Sequence, residues 1–246
     1  MADKGKKRKR SALYAPVAFI LIIAALVFGM SVFFRVSDIT VTGNSIYTAE
    51  EIIEASGVSI GDNLFFLNRL SAMSRINSRL PYIESAEISR ALPSSVTIVV
   101  TESSALAYLA NEDGLWAVDK NCKVLSNVAK ENFGSLIQVT GINPISPTVG
   151  ETVAAGEAEG SKVKYLKEIL GMIAALELQG DITDIDMSNV SSPHFRYLGR
   201  FTVKLGAHEN VDYKFQLMIS AVQKLQSGDS GILDLSIDNR AHLTYD

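Results

Sequence analysis

The 246-residue chain has a single cysteine, Cys122, which excludes an intrachain disulfide. Any exported domain must therefore hold together by its core alone. Without a second thiol, Cys122 is expected to serve as a small buried hydrophobe. The three histidines, His194, His208 and His242, stand at no zinc-ligand spacing. No glycine-rich phosphate loop follows any expected strand. Neither a metal, a cofactor nor a small-molecule substrate is expected. Positive charge is scarce beyond the first ten residues. Lys4, Lys6, Lys7, Arg8, Lys9 and Arg10 face one acid there, Asp3, and the remaining chain carries 17 basic and 26 acidic residues. That acidic excess makes nucleic acid an unsuitable partner.

What the chain does have is a run, residues 13–34, with no charge in 22 positions. At about 1.5 Å per residue a helix of this length covers about 33 Å, enough for the roughly 30 Å hydrocarbon core of a bilayer. It is apolar all round, whereas a surface helix shows only a stripe. Six basic residues precede it, and only Arg35 lies between it and Arg69. The positive-inside rule then puts the amino terminus in the cytoplasm and the rest outside. Pro16 is expected in the first turn of the span, where it costs little, with Tyr14 and Phe33–Phe34 at the two interfaces. A cleaved signal peptide shares the basic start. Its apolar region is shorter, about 7–15 residues, and ends in a small-x-small site; this run ends in Val-Phe-Phe-Arg. The reading is an uncleaved anchor followed by two small domains.

Residues 36–41 alternate, with Ile39 and Val41 on one face and Asp38 and Thr40 on the other, until Gly43-Asn44 breaks the strand. Thr48 and Glu51 form a capping box flanked by Tyr47 and Ile52 as a hydrophobic staple. That helix runs to about Ser56, and Gly57 caps it. The turn GDNLF, from Gly61, leads to a second helix at roughly 70–80, with Leu70, Met73, Ile76 or Asn77, and Leu80 on one side and Pro81 as the stop. Strands at 85–90 and 95–101 flank the turn at 92–94. The order is β-α-α-β-β.

Beyond it, strands are expected at 105–109, 115–119, 122–125 and 136–140. Turns fall at 112–114 and at Lys120-Asn121, with Asn121 left-handed. Residues 141–160 are a loop holding Pro144 and Pro147. One helix spans 162–179, with Leu166, Ile169, Leu170, Ile173 and Leu176 inward. Another spans 212–225, with Phe215, Met218, Val222 and Leu225 inward. Strands at 182–187, 201–205, 231–237 and 241–245 complete an α+β domain with a mostly antiparallel sheet. Asp184 and Asp186, with Asp181 near, read as a solvated strand edge. Ser191, Ser192, His194 and Asp186 include triad residue types, but in a polar, proline-containing loop without a nucleophile elbow. Asn189-Val-Ser191 has the pattern of a glycosylation acceptor.

Taken in order, FRVSDITVTGN directly behind the run, then GDNLF, then LPYIESAEISRALPSSVTIVVTE, resemble the POTRA domain of the FtsQ/DivIB cell-division family. Gly43-Asn44, Gly61 with Asn63, Leu64 and Phe65, Pro81, and Arg90 to Pro93 fall on the family's pattern. The stretch from Trp116 through Asp119 to Val124 is similar to the start of its β domain, with Asn121 in place of a glycine. The resemblance implies four parts: a basic cytoplasmic tail at 1–12, a transmembrane helix at 13–34, a POTRA domain at 36–104 and a β domain at 105–246. It also implies a non-enzymatic, single-pass scaffold of the bacterial inner or plasma membrane at the division septum. Its partners would be FtsB/DivIC-like and FtsL-like proteins and, through them, the septal peptidoglycan synthase. By register with the family's Asp-Leu-Arg-Tyr-Asp stretch, Ile237, Asn239 and Tyr245 fall on partner positions. The last strand, with Ala241, His242, Leu243, Thr244 and Tyr245, would receive the partner by β-augmentation. The competing class is a membrane-anchored extracytoplasmic cell-wall enzyme, which a peptidoglycan-hydrolysis assay separates from partner capture.

Overall fold

A computed structural model describes residues 8–128, 134, 136–156, 159–237 and 240–245. They form two compact units that divide between Glu102 and Ser103.

The first unit opens with α1 (Arg8–Phe33). None of its Pro16–Phe33 stretch is buried, and large apolar side chains such as Phe19, Leu21, Leu26 and Phe28 project on all sides. The helix starts upstream of the charge-free run, so Pro16 lies inside it rather than in its first turn. There the ring removes one backbone donor.

β1 (Asp38–Thr42), α2 (Ala49–Ser56), α3 (Arg69–Arg79), β2 (Ile83–Ala91) and β3 (Ser95–Glu102) follow in the expected β-α-α-β-β order. β3 is central, parallel to β1 and antiparallel to β2. It turns Val96, Ile98 and Val100 into the core and leaves Val99 exposed, the period of two of a half-buried strand. Ile52 and Ala55 of α2 and Ala72 and Ile76 of α3 close that core. The capping box forms as read: the Glu51 amide donates to Thr48 Oγ1 at 3.2 Å, and the Thr48 amide donates to Glu51 Oε2 at 2.8 Å. Gly57 ends α2 at φ 66°, a left-handed position where a side chain is costly. The expected α3 face is corrected at one residue. Leu70 points outward, and Ala72 packs beside Ile76, because the face that meets the core runs through residues 72, 73, 76 and 80 and residue 70 lies off it.

The second unit carries β4 (Ala107–Asn111), β5 (Gly114–Val118), β6 (Val124–Asn127), β7 (Ile137–Thr140), α4 (Gly160–Ala175), β8 (Ile182–Asp186), β9 (His194–Tyr197), β10 (Phe201–Lys204), α5 (Val211–Val222), β11 (Gly231–Asp234) and β12 (His242–Tyr245). One nine-stranded sheet orders them β12-β11-β10-β9-β8-β7-β4-β5-β6. Five of its eight pairings are antiparallel. The parallel pairs β7–β8 and β10–β11 have physical causes in α4 and α5: each is a crossover helix between two parallel neighbours. Both helices press their apolar stripes on the sheet. Tyr165, Leu166, Ile169 and Ile173 of α4 are buried, as are Phe215 and Met218 of α5, with Phe215 stacked on Phe195 at 5.6 Å. Gln138 and Arg196 project from other strand positions into solvent, so the sheet keeps a wet face.

One local expectation is corrected here. The left-handed residue of the β5–β6 turn is Cys122, at φ 59°, not Asn121. Buried Asp119 sets that turn, accepting from the Asn121 and Lys123 amides and from Ser103 Oγ. Cys122 itself is fully buried, and burial, helped by Asp119, pushes its thiol up to about 12.

Glu102 ties the end of β3 to the start of α2. Its carboxylate accepts from the amides of Ser45 at 3.0 Å, Ile46 at 2.8 Å and Tyr47 at 3.2 Å. Burial raises its pKa, but the three amides together hold it below the usual carboxylate range. A depressed folded pKa gives stability that is full above that range and is lost as pH falls through it. Glu102→Gln is therefore expected to lower the melting temperature at neutral pH and to shrink the difference between neutral and acid melts. An unchanged melt at neutral pH would show that the three amides do not depend on the charge.

Candidate functional site

β12 is the outermost strand of the large sheet, with β11 on its inner side. The register pairs Gly231 with Tyr245, Ile232 with Thr244, Leu233 with Leu243 and Asp234 with His242. Successive side chains of β12 alternate between the two sheet faces. Leu243 is half-buried against the core, together with Ala241 just before the strand. His242 and Thr244 are exposed. Tyr245 falls on the same face as Leu243, yet it is 61% exposed. Its cross-strand partner is a glycine, so no side chain covers the ring.

That glycine is required. Gly231 has φ 144°, and a β-carbon on it would stand 2.1 Å from the Thr244 carbonyl oxygen. The two backbones can pair only because nothing projects there. At the other end Asp234 accepts from the Ser236 amide at 2.8 Å and hydroxyl at 2.6 Å. Burial raises the Asp234 pKa, but Ser236, Lys204 and His242 outweigh it and keep the group ionised below the usual range.

The expected site residues are thus not equivalent. Ile237, half exposed, follows β11, and its carbonyl accepts from the Arg240 amide at 3.2 Å. Asn239 lies outside the described residues. Ala241 and Leu243 serve the core, while His242, Thr244 and Tyr245 are presented outward. Alternate backbone N–H and C=O groups of an outermost strand point away from the sheet and suit an added strand. A shallow concavity of about 480 Å³ adjoins this edge, lined by Leu217, Leu225 and Lys224 on the α5 side and by Arg240, Ala241 and Leu243. Sequence reading missed it because the α5 stripe shows which residues are apolar, not which of them the sheet leaves uncovered.

The acidic and serine-rich segment is also corrected. β8 is an internal strand, not an edge, with β9 beside it where a loop was expected. Asp184 pairs with Arg196 at 3.5 Å. Asp186 accepts from the Ser188 amide at 2.7 Å, and hydrogen bonds from the Ser188 hydroxyl and amide hold its carboxyl below the usual range. Ser191 turns its amide to Asn189 Oδ1. These contacts build a turn and align no nucleophile with a base. Among the described residues no group of three or more His, Cys, Asp or Glu side chains is placed to hold a metal.

Comparison with known proteins defines the class first. Residues 34–103 match the family model of the POTRA domain, FtsQ-type. Over 239 residues the chain is 26% identical to the cell division protein DivIB of Clostridium botulinum, covering 96% of this chain and 92% of that protein. It is 30% identical over 137 residues to DivIB of Bacillus subtilis, covering 55% and 52% of the two. It is 26% identical over 169 residues to the cell division protein FtsQ of Corynebacterium glutamicum, covering 67% and 68%. Together the FtsQ-type POTRA match and the similarity to DivIB and FtsQ cell division proteins support the FtsQ/DivIB family for this chain.

Gly231→Ala tests the geometry of the edge. Hydrogen exchange at residues 242–245 is expected to accelerate towards the rate of open chain, while α5 and β10 keep their protection. Undiminished protection of β12 would mean that the strand does not depend on the close approach at Gly231.

Proposed function

We propose that the protein is a membrane-anchored scaffold of bacterial cell division, without enzymatic activity. It holds an extended segment of an FtsB/DivIC-like partner on β12 and, with an FtsL-like partner, is linked to septal peptidoglycan synthesis. The observation that carries this reading is the outermost position of β12, with His242, Thr244 and Tyr245 presented and Leu243 anchoring the strand from below. A strand added there gains backbone hydrogen bonds for affinity and alternate side-chain contacts for selectivity. Tyr245, rigid and uncovered, has the character of an interface anchor. The names of the relatives, cell division proteins DivIB and FtsQ, support the cellular role. In this reading α1 spans the membrane once, the basic start stays in the cytoplasm, and the POTRA and β domains stand outside, at the septum.

The test is partner capture by the full-length protein. Tyr245→Ala is expected to weaken binding of the FtsB/DivIC-like partner by about 2 kcal/mol, roughly 30-fold. Deletion of residues 241–246 is expected to weaken it further, while both variants remain folded and in the membrane fraction. Full binding by a folded deletion variant would move the interface away from β12.

A further inference from the structure

The outer end of α1 and the turn at 61–67 are tied directly together. The Phe34 amide donates to the Met30 carbonyl at 3.4 Å, and Asn63 Nδ2 donates to the same oxygen at 3.1 Å. The Leu64 amide donates to the Phe34 carbonyl at 2.9 Å, and the Phe34 and Phe65 rings meet edge to face at 4.8 Å. The turn is itself stiff. Asn63 Oδ1 accepts from the Phe65 amide at 2.9 Å, and the Asn63 carbonyl accepts from the amides of Phe66 and Leu67, each at 3.1 Å. Leu64 and Leu67 are buried in the POTRA core and fix the turn from within.

From this fixed frame three large apolar side chains project. Phe65 is 42% exposed, Phe66 80% and Leu70 78%. Phe65 and Phe66 adjoin in the chain, and Leu70 follows at the start of α3. Such a group on one turn marks a contact surface, unlike apolar residues scattered singly. Its surroundings name the contact. If α1 spans the bilayer, Phe33 ends the apolar stretch and Met30 lies a turn deeper. A turn bonded to the Met30 and Phe34 carbonyls then sits within a few ångströms of the hydrocarbon boundary. Interfacial side chains reach about 5–10 Å into that zone. Aromatic residues favour it. Val32 and Phe33, both exposed, directly precede the Phe34 that packs on Phe65, and the exposed Arg35, whose Nε donates to the Ser31 carbonyl, sets a cation at the level of lipid phosphates.

We infer that the turn at 61–67 and the start of α3 form a second membrane contact, in which Phe65, Phe66 and Leu70 insert into the outer leaflet beside α1. The occupant is the lipid at the boundary between headgroups and acyl chains. The inference rests on reading α1 as a membrane span, and it adds that the POTRA domain is seated on the bilayer rather than hung from it.

The test uses the full chain with Trp116→Phe, reconstituted in phosphatidylcholine–phosphatidylglycerol vesicles whose acyl chains carry bromine at shallow or deep positions. Three tryptophans are introduced separately: Phe66→Trp in the patch, Ile46→Trp beyond the far end of β1, and Phe28→Trp inside α1. The Phe66→Trp variant is expected to emit to the blue of the Ile46→Trp variant and to be quenched several-fold more, most strongly by shallow bromines. Quenching of Phe66→Trp no greater than that of Ile46→Trp, with Phe28→Trp quenched, would overturn the seating and leave the span intact. Absence of quenching in Phe28→Trp would remove the span and the seating together. A blue-shifted but unquenched Phe66→Trp variant would assign the patch to a second copy of the chain and overturn the lipid contact.

Discussion

Gly231 stands opposite Tyr245 where the β12 backbone comes too close for any side chain on β11. With a glycine on β11, the Thr244 carbonyl can stand 2.1 Å from where a β-carbon would be, and β12 can close on its neighbour. Everything proposed for the far end of the β domain depends on that approach. It lets Leu243 reach the core, it uncovers the Tyr245 ring, and it makes His242–Tyr245 the border of the sheet. A larger residue on β11 would separate the strands and shift the border inward to β11, whose Leu233 is buried.

The sheet that ends there is built unevenly. Its two crossover helices bury one face, and solvent meets the other at Gln138 and Arg196. Growth by stacking on the wet face would bury charges such as Arg196 and Asp184, which already satisfy each other. Growth by pairing at the border buries no charge and continues an existing hydrogen-bond ladder. The architecture therefore favours lateral addition of a strand over face-to-face docking.

Much of this was legible in the residues, because the signals concerned are local. The charge-free run, the Thr48–Glu51 box, the Gly57 cap and the stripes of α4 and α5 each occupy one stretch of chain and formed as read. The failures come where neighbours in space decide. β9 is four residues between Pro193 and the left-handed Leu198–Gly199 pair, too short to show a period, and it exists because β8 and β10 bind it from both sides. Leu70 carries the stripe of a core residue and faces outward because the core meets the face through residues 72, 73, 76 and 80. Cys122 rather than Asn121 is left-handed because Asp119 holds the amides on either side of it. For the candidate site, the last strand was readable as a strand. Its place at the border was not, since periodicity carries no information about which strands are neighbours.

The junction between α1 and the POTRA domain has a mechanical consequence. Met30, Phe34 and Asn63 leave no slack peptide between helix and domain, and the Val36 amide bonds to the Asp62 carbonyl directly beyond them. A helix packed against another in a membrane can change its face by turning about its own axis, about 100° for each residue of register. With this joint the turn is not absorbed at the surface. If α1 spans the bilayer, as proposed, the POTRA domain must swing through the same angle, like the bit of a key, so torque applied within the bilayer becomes a change of azimuth outside it.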